Sequence, residues 1–189
     1  MRPFTIEECH LFFGRDGQVD EILVKLSRNR FLTVLGYSGS GKSSLMYCGL
    51  IPVLYGGFVT QTGSAWHVIA FRPGMSPIFN LAEAVVDYLI EHDRILPFER
   101  DVHLAIISSV LRSGQHGLIE VSRMIQQSTG DNVFFLIDQF EEIFHFRESD
   151  SSNPDLADEA QHYVNLLLAA IGQRDVPVYS AITMRSHFI

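Results

Sequence analysis

The sequence predicts an α/β fold in which a mainly parallel sheet is covered by helices on both faces. Short apolar runs typical of strands alternate with stretches of helical periodicity along the chain. The run at 133–138 is unbroken and apolar until its last residue, as expected of a strand inside a parallel sheet. Right-handed crossovers would place the loops that follow the strands at one edge of the sheet, where ligands bind in such folds.

The first third of the chain predicts a helix, a strand, a glycine-rich loop and a second helix. The first helix spans 16–28, with Asp16 as its N-cap and apolar residues at i, i+3, i+4 and i+7. These are Val19, Ile22, Leu23 and Leu26. A strand follows over 30–35, and a helix runs from Lys42 to Leu50. We expect a disturbance near Pro52, because proline cannot donate to the helical hydrogen-bond ladder.

The rest of the chain continues the alternation of strands and helices. We expect a loop over 56–65, strands over 67–71, 133–138 and 177–183, and an acidic loop over 148–154. Helices are predicted over 77–92, 101–112, 117–127 and 155–172. The helix over 101–112 is expected to bury one face, made of Val102, Ala105, Ile106 and Val110.

Composition favours a single domain over 1–189, because 189 residues with 47% hydrophobic content suffice for one core. The net charge of −8 argues against a nucleic-acid or anionic-membrane surface.

Two cysteines, Cys9 and Cys48, argue against a disulfide scaffold, and we expect Cys48 to be a buried free thiol. Without an apolar run of the roughly 20 residues that span a bilayer, and without a signal peptide, the expected location is the cytoplasm.

The loop from Gly36 to Ser43 reads Gly-Tyr-Ser-Gly-Ser-Gly-Lys-Ser and fits the phosphate-binding pattern G-x-x-x-x-G-K-[ST]. Its glycines allow a tight curl that aims main-chain N–H groups at a phosphate, and the helix behind it adds the positive end of its dipole. Lys42 is predicted to reach the β- and γ-phosphates, and the Ser43 hydroxyl to bind Mg²⁺. The predicted nucleotide-binding residues of this stretch are Gly36, Ser38, Gly39, Ser40, Gly41, Lys42, Ser43 and Ser44.

Asp138 ends the apolar strand and is the predicted carboxylate of the Mg²⁺ site. Glu141 and Glu142 follow it, and either could polarise the attacking water, although carboxylates also favour a helix start for electrostatic reasons alone. Gln139 cannot act as a base, which predicts slow hydrolysis. Arg185 follows the last strand, which we expect beside the phosphate-loop strand, so its guanidinium could distinguish a triphosphate from a diphosphate.

Five segments, taken in order, resemble the novel STAND NTPases, the signal transduction ATPases with numerous domains. The segments are Phe12-Phe-Gly-Arg15, the phosphate loop to Leu45, Cys48-Gly-Leu-Ile-Pro52, Ile137-Asp-Gln-Phe-Glu-Glu-Ile-Phe144 and Thr183-Met-Arg-Ser-His-Phe188. The resemblance covers nearly the whole chain. It implies the P-loop NTPase fold of the ASCE type, a three-layer sandwich.

The resemblance also implies function. It matches Lys42 and Ser43 to the phosphate and Mg²⁺ residues, Asp138 to the Mg²⁺ carboxylate, and Arg185 to the γ-phosphate sensor. Glu141 and Glu142 match the acidic pair, and Gly14 and Arg15 match a segment that touches the adenine side. Such proteins are ATP/ADP switches that self-associate, carry effector and sensor domains, and often serve in antiviral defence. They continue into a lid and a winged-helix domain, so the chain is expected to be the NTPase piece of a longer protein.

Two other functions remain open from the residues. A P-loop kinase of small molecules would need an arginine-rich lid, and the region 93–131 has only Arg94, Arg100, Arg112 and Arg123. A nucleotide-binding interaction module without turnover is favoured by Gln139. The eight histidines show no zinc spacing, so Mg²⁺ is the expected metal.

Overall fold

Four parallel strands form one sheet in this computed structural model, which describes residues 6–58, 63–127, 130–144 and 154–188. The strands are β1 (Phe31–Gly36), β2 (Trp66–Phe71), β3 (Asn132–Ile137) and β4 (Val178–Arg185). Their order across the sheet is β1-β4-β3-β2, and all three neighbouring pairs are parallel. The predicted α/β class is confirmed, and β4 lies beside the strand of the phosphate loop as expected.

Helices connect the strands. Before β1 come a 3₁₀ helix (Ile6–Leu11) and α1 (Asp16–Arg28). After it, one continuous helical stretch consists of α2 (Lys42–Ser44), a π-helical part (Leu45–Leu50) and α3 (Ile51–Tyr55). Between β2 and β3 lie α4 (Pro77–Glu91), a 3₁₀ turn (Pro97–Glu99), α5 (Arg100–Arg112) and α6 (Gly117–Gln126). A 3₁₀ helix (Phe140–Phe144) and α7 (Pro154–Gly172) precede β4, and a 3₁₀ turn (Ser186–Phe188) follows it.

The sheet buries apolar side chains on both faces, because successive residues of a strand point in opposite directions. Phe135 and Ile137 pack on the side of α4, α5, α6 and α7. Phe134 and Leu136, from the same strand, pack on the side of α1 and the helix behind the phosphate loop. The result is the predicted three-layer arrangement, with the carboxyl ends of all four strands at one edge.

The helix after the phosphate loop is disturbed before Pro52 rather than at it. The π-helical part ends at Leu50, and Pro52 lies in the first turn of α3. Because proline has no N–H group, it cannot donate to the carbonyl groups of the preceding turn. The carbonyl of Tyr47 instead accepts a hydrogen bond from Cys9 Sγ at 3.6 Å.

Three details of the sequence prediction are wrong. Asp16 is the first residue of α1 rather than its N-cap, which is Arg15. β4 extends to Arg185, so Arg185 ends the strand instead of following it. Third, the face of α5 that was predicted to be buried is not the buried one. Val102 and Ile106 are 61% and 44% exposed, and Ile107 and Leu111 are buried instead. The acidic loop predicted over 148–154 lies outside the described residues up to 153. No helix among the described residues is long and apolar enough to span a membrane.

Candidate functional site

The loop between β1 and α2 has the backbone geometry that its glycines allow. Gly39 and Gly41 have φ values of 74° and 83°, in the left-handed region that side chains with a Cβ rarely adopt. Gly36 allows a close approach, since a Cβ there would lie 2.8 Å from Ser40 Oγ and would displace that hydroxyl. The helical stretch begins at Lys42, so the first N–H groups of a helix face this loop.

An open cleft of about 150 Å³ lies against the loop and reaches the ends of β3 and β4. Lys42 lies on one wall, where its ammonium group donates to the carbonyl oxygens of Gly36 and Tyr37, both at 2.9 Å. Arg185 also lines the cleft, at the end of the strand next to β1. The residues that line the cleft are Ser38, Gly39, Gly41, Lys42, Ser43, Ser44, Gln139, Glu141, Thr183 and Arg185.

Asp138 lies behind the cleft and is fully buried. One of its carboxylate oxygens, Oδ1, accepts hydrogen bonds from two hydroxyl groups, Ser43 Oγ at 2.6 Å and Thr183 Oγ1 at 2.7 Å. The first of these bonds joins the phosphate loop to the end of β3 across the intervening strand β4. The structure therefore brings together the serine and the aspartate that the sequence separates by 95 positions.

The chemistry of this pair fits Mg²⁺. A hydroxyl has one proton and two lone pairs, so Ser43 can donate to Asp138 and still offer a lone pair to a cation. Mg²⁺ prefers oxygen ligands and retains several waters. The Asp138 carboxylate, buried next to the open cleft, can accept hydrogen bonds from such waters. Among the described residues, no cluster of three or more His, Cys, Asp or Glu side chains could form a metal site of its own.

Glu141 and Glu142 have different environments although they are adjacent. Glu141 is 3% exposed, and its Oε1 lies 3.0 Å from Arg185 Nε while Oε2 accepts the Arg185 main-chain N–H at 3.3 Å. Glu142 does not line the cleft; its Oε2 accepts the main-chain N–H of Gly74 at 3.1 Å. Only Glu141 of this pair therefore faces the space in which a phosphate would lie.

Gly14 and Arg15 line a second cavity, of about 620 Å³, which runs along β1 to Tyr37 and Lys42. The Arg15 side chain also approaches the phosphate loop, because a Cβ on Gly41 would lie 3.3 Å from Arg15 Nη2. Gly14 itself has a φ of 81°. The two residues proposed for the adenine side are thus continuous with the loop proposed for the phosphates.

Two side chains at the site were not predicted from the sequence. Thr183 holds Asp138, as described above, and Arg72 Nε lies 3.3 Å from Asp138 Oδ2. Both lie at carboxyl ends of strands that pair with β3. The signal in the sequence is the same for both, a polar residue at the end of an apolar strand.

Two groups in the π-helical part behind the phosphate loop have raised pKa values. Burial, followed by the negative charge of Asp138, raises the pKa of Tyr47 to about 12, so its phenol stays protonated at neutral pH. Burial also raises the pKa of Cys48 to about 12. Cys48 is buried and forms no disulfide, as the sequence predicted, and at neutral pH it lacks the thiolate form that reacts.

Comparison with known proteins adds a family match. The family model described as nSTAND1, Novel STAND NTPase 1, matches residues 1–189. No curated protein matches the chain. One similar solved structure is that of the pCW3 conjugation coupling protein TcpA in its monomer form with ATPgS, at 16% sequence identity and a TM-score of 0.42. The similarity covers 84% of this chain and 43% of that chain, so this chain spans less than half of its length.

Proposed function

This chain belongs to the novel STAND NTPase 1 family, and from that premise we propose that it binds ATP and ADP with Mg²⁺ and hydrolyses ATP slowly. The observation that carries the proposal is the hydrogen bond from Ser43 to Asp138, because it joins the phosphate loop to a buried carboxylate beside an open cleft. Lys42 and Arg185 both line that cleft and supply positive charge for a polyphosphate.

In this proposal, the loop from Gly36 to Ser44 binds the α- and β-phosphates through main-chain N–H groups. Lys42 exchanges its two carbonyl acceptors in the loop for oxygens of the β- and γ-phosphates. Ser43, with Asp138 behind it, would hold Mg²⁺, whose charge would neutralise part of the charge of the phosphates. Gly14 and Arg15 face the nucleoside end.

Arg185 contacts the γ-phosphate in the same proposal, since its side chain is 39% exposed and lines the cleft. Glu141 orients the attacking water, because it is the carboxylate of the acidic pair that faces the cleft. Slow turnover follows from two features. Gln139 stands directly after Asp138 and cannot accept a proton, and Glu141 is bound at both oxygens by Arg185.

One test is isothermal titration calorimetry of the chain with ATP and ADP, with Mg²⁺ or with EDTA, together with a phosphate-release assay. Lys42→Ala should remove binding, because the ammonium has no substitute in the loop. Arg123→Ala is a matched control, since Arg123 is an exposed cation paired with Glu120 on α6. Unchanged nucleotide affinity in Lys42→Ala would refute the proposed site.

A second candidate is a nucleotide-binding module without turnover, and the Glu141–Arg185 pair specifically favours it. With one oxygen on the Arg185 guanidinium and the other on its main-chain N–H, the Glu141 carboxylate is not placed to take a proton from water as long as both contacts persist. Retention of radiolabelled ATP without phosphate release over hours would support this candidate. Release of phosphate that is lost in Lys42→Ala would support the ATPase.

We also propose that the domain acts as the switch of a larger multidomain protein in signalling or defence. This rests on family membership, which relates the chain to signal transduction ATPases. A switch of this kind would associate with further copies when ATP replaces ADP. Light scattering of the full-length protein with each nucleotide tests this, because a size that is independent of the nucleotide would contradict it.

A further inference from the structure

Arg72 follows β2 directly, and the pairing of β2 with β3 carries its side chain to Asp138. The two strands stay hydrogen-bonded to their ends, since Asp138 N–H donates to the Phe71 carbonyl at 2.9 Å. The Arg72 Nε then lies 3.3 Å from Asp138 Oδ2. Arg72 remains 47% exposed on its side chain, whereas the Asp138 side chain is 0% exposed. The fully buried Asp138 carboxylate is thus paired with a guanidinium that is itself partly exposed to solvent.

The two oxygens of Asp138 have separate partners. Oδ1 accepts the hydroxyl groups of Ser43 and Thr183, and Oδ2 faces Arg72. The torsion that rotates an aspartate carboxylate is broad and its two oxygens are equivalent, so contacts rather than rotamer preference fix the orientation of the carboxylate plane. With Arg72 on Oδ2, the carboxylate presents Oδ1 to Ser43, the residue proposed to bind Mg²⁺.

Arg72 is itself held by a chain of hydrogen bonds on its other side. With the Gln139 amide oriented to satisfy both neighbours, its oxygen accepts from Arg72 Nη2 at 3.1 Å and its nitrogen donates to Glu142 Oε1 at 3.1 Å. Glu142 Oε2 accepts from Gly74 N–H at 3.1 Å, which returns the chain to the segment that contains Arg72. This arrangement gives Gln139 and Glu142 a role other than that of a base.

The backbone of Gln139 supports the same arrangement. Its φ is 58°, a left-handed conformation that is uncommon outside glycine, and its N–H donates to Thr183 Oγ1 at 3.0 Å. The same Thr183 hydroxyl donates to Asp138. Gln139 therefore contacts both groups that orient the carboxylate, Thr183 through its main chain and Arg72 through its side chain.

We propose that Arg72 is a positioning residue of the nucleotide site, which orients the Asp138 carboxylate toward Ser43 for Mg²⁺ binding. The inference rests on the proposed binding of Mg²⁺ with the nucleotide. Arginine suits the role because its planar group donates in two directions at once, from Nε to Asp138 and from Nη2 to Gln139. Lysine retains the charge but cannot reproduce both directional contacts.

The experiment measures how strongly Mg²⁺ improves nucleotide affinity, using a fluorescent ADP titrated into the chain at a series of Mg²⁺ concentrations and in EDTA. Arg72→Ala and Arg72→Gln should need about tenfold to 100-fold more Mg²⁺ for the same gain in affinity, the range typical of partners that orient metal ligands. Affinity in EDTA should stay within about twofold of wild type, because the loop and Lys42 are untouched. Arg72→Lys should recover part of the loss.

Two reference variants define the outcomes. Asp138→Asn should lose the Mg²⁺ gain outright, and Arg123→Ala should behave as wild type. The proposal for Arg72 would be overturned if Arg72→Gln gained affinity at the same Mg²⁺ concentration as wild type while Asp138→Asn showed no gain. An equal loss of affinity in EDTA would also overturn it, because it would make Arg72 a phosphate contact or a purely structural residue. If Arg72→Ala fails to fold, the Gln and Lys variants decide.

The result also separates this inference from the proposed function. A wild-type chain whose ADP affinity does not respond to Mg²⁺ would refute the proposed Mg²⁺ site itself. A wild-type chain that responds, with Arg72 variants that respond equally, would refute only the role of Arg72.

Discussion

Glu141 binds Arg185 through both of its carboxylate oxygens, with Oε1 3.0 Å from Nε and Oε2 accepting the main-chain N–H at 3.3 Å. The guanidinium is partly exposed in the cleft, whereas the carboxylate is 4% exposed. A charge pair of this kind is costly to break by removing one partner, because the other is left buried and unpaired. The pair also links the residue proposed to sense the γ-phosphate to the residue proposed to orient water.

The acidic pair should divide its roles unequally. Glu141→Gln is expected to lower the phosphate-release rate by about 100-fold or more while ATP still binds, because a general base contributes at least that much. Glu142→Gln should cost less, about tenfold at most, since glutamine can still accept the Gly74 N–H and loses only the bond from the Gln139 amide. Single-turnover assays with radiolabelled ATP compare the two variants. A larger loss in Glu142→Gln would show that the wrong glutamate has been assigned.

Arg185 should affect ATP more than ADP. In Arg185→Ala, ATP affinity is expected to fall about tenfold, since a charge-assisted hydrogen bond is worth about 1.5–3 kcal/mol and the pair with Glu141 must be given up to form it. ADP affinity should change by less than about twofold. Calorimetric titrations with both nucleotides measure the difference.

Arg185→Ala also leaves Glu141 buried without its guanidinium, so a loss of stability could be mistaken for a loss of binding. The double variant Arg185→Ala with Glu141→Gln removes that unpaired charge. If the double variant regains the unfolding midpoint but still fails to prefer ATP, the contact with the nucleotide is responsible. Equal losses for ATP and ADP would contradict a role in sensing the γ-phosphate.

The sequence predicted the site best where a motif fixes both the type of residue and its position. The glycines, Lys42 and Ser43 follow a pattern whose spacing is set by the curl of the loop. Asp138 follows from the end of an apolar strand. The prediction that Arg185 lies near the loop depended only on β4 lying next to β1. The strand register confirms this, because Gly36 pairs with Arg185.

The prediction failed where the outcome depends on packing between distant elements. Residues 100–112 carry two apolar stripes, and the helix buries Ile107 and Leu111 rather than Val102 and Ile106 because α4 and α6 pack against it from that side. Periodicity cannot choose between two such stripes. Arg72 was missed for a similar reason, since its partner Asp138 is 66 positions away and only the pairing of β2 with β3 joins them.

Two glycine-to-alanine substitutions should change stability in opposite directions. Gly117→Ala would place a Cβ 2.8 Å from Leu111 Cα and against the Val110 carbonyl, so it should cost about 1–3 kcal/mol by overpacking. Gly17→Ala in α1 meets nothing within 4 Å and should gain up to about 1 kcal/mol, because alanine favours the helix. Urea denaturation gives both values, and a Gly117→Ala variant as stable as wild type would contradict this account of the α5–α6 connection.

His67 should make the fold sensitive to acid. It lies at the start of β2, 9% exposed, with Nδ1 2.6 Å from the Tyr88 hydroxyl and Nε2 3.3 Å from Asp131 Oδ2. Burial lowers the pKa of His67 below 6.5; the Asp131 carboxylate opposes this, and the Arg94 guanidinium acts with burial. The unfolded chain therefore takes up the proton at a higher pH than the folded chain does.

The sign of the pH effect follows from this difference. Well above pH 6.5 both states carry a neutral imidazole, and as the pH falls through that value the unfolded state gains a proton first. The free energy of unfolding should decrease from about pH 7 to pH 5 more in wild type than in His67→Asn, which keeps a polar partner for Tyr88 but does not titrate. His116→Asn, at an exposed position, is the control and should retain the wild-type slope. Parallel pH profiles for wild type and His67→Asn would mean that His67 is not protonated differently in the two states.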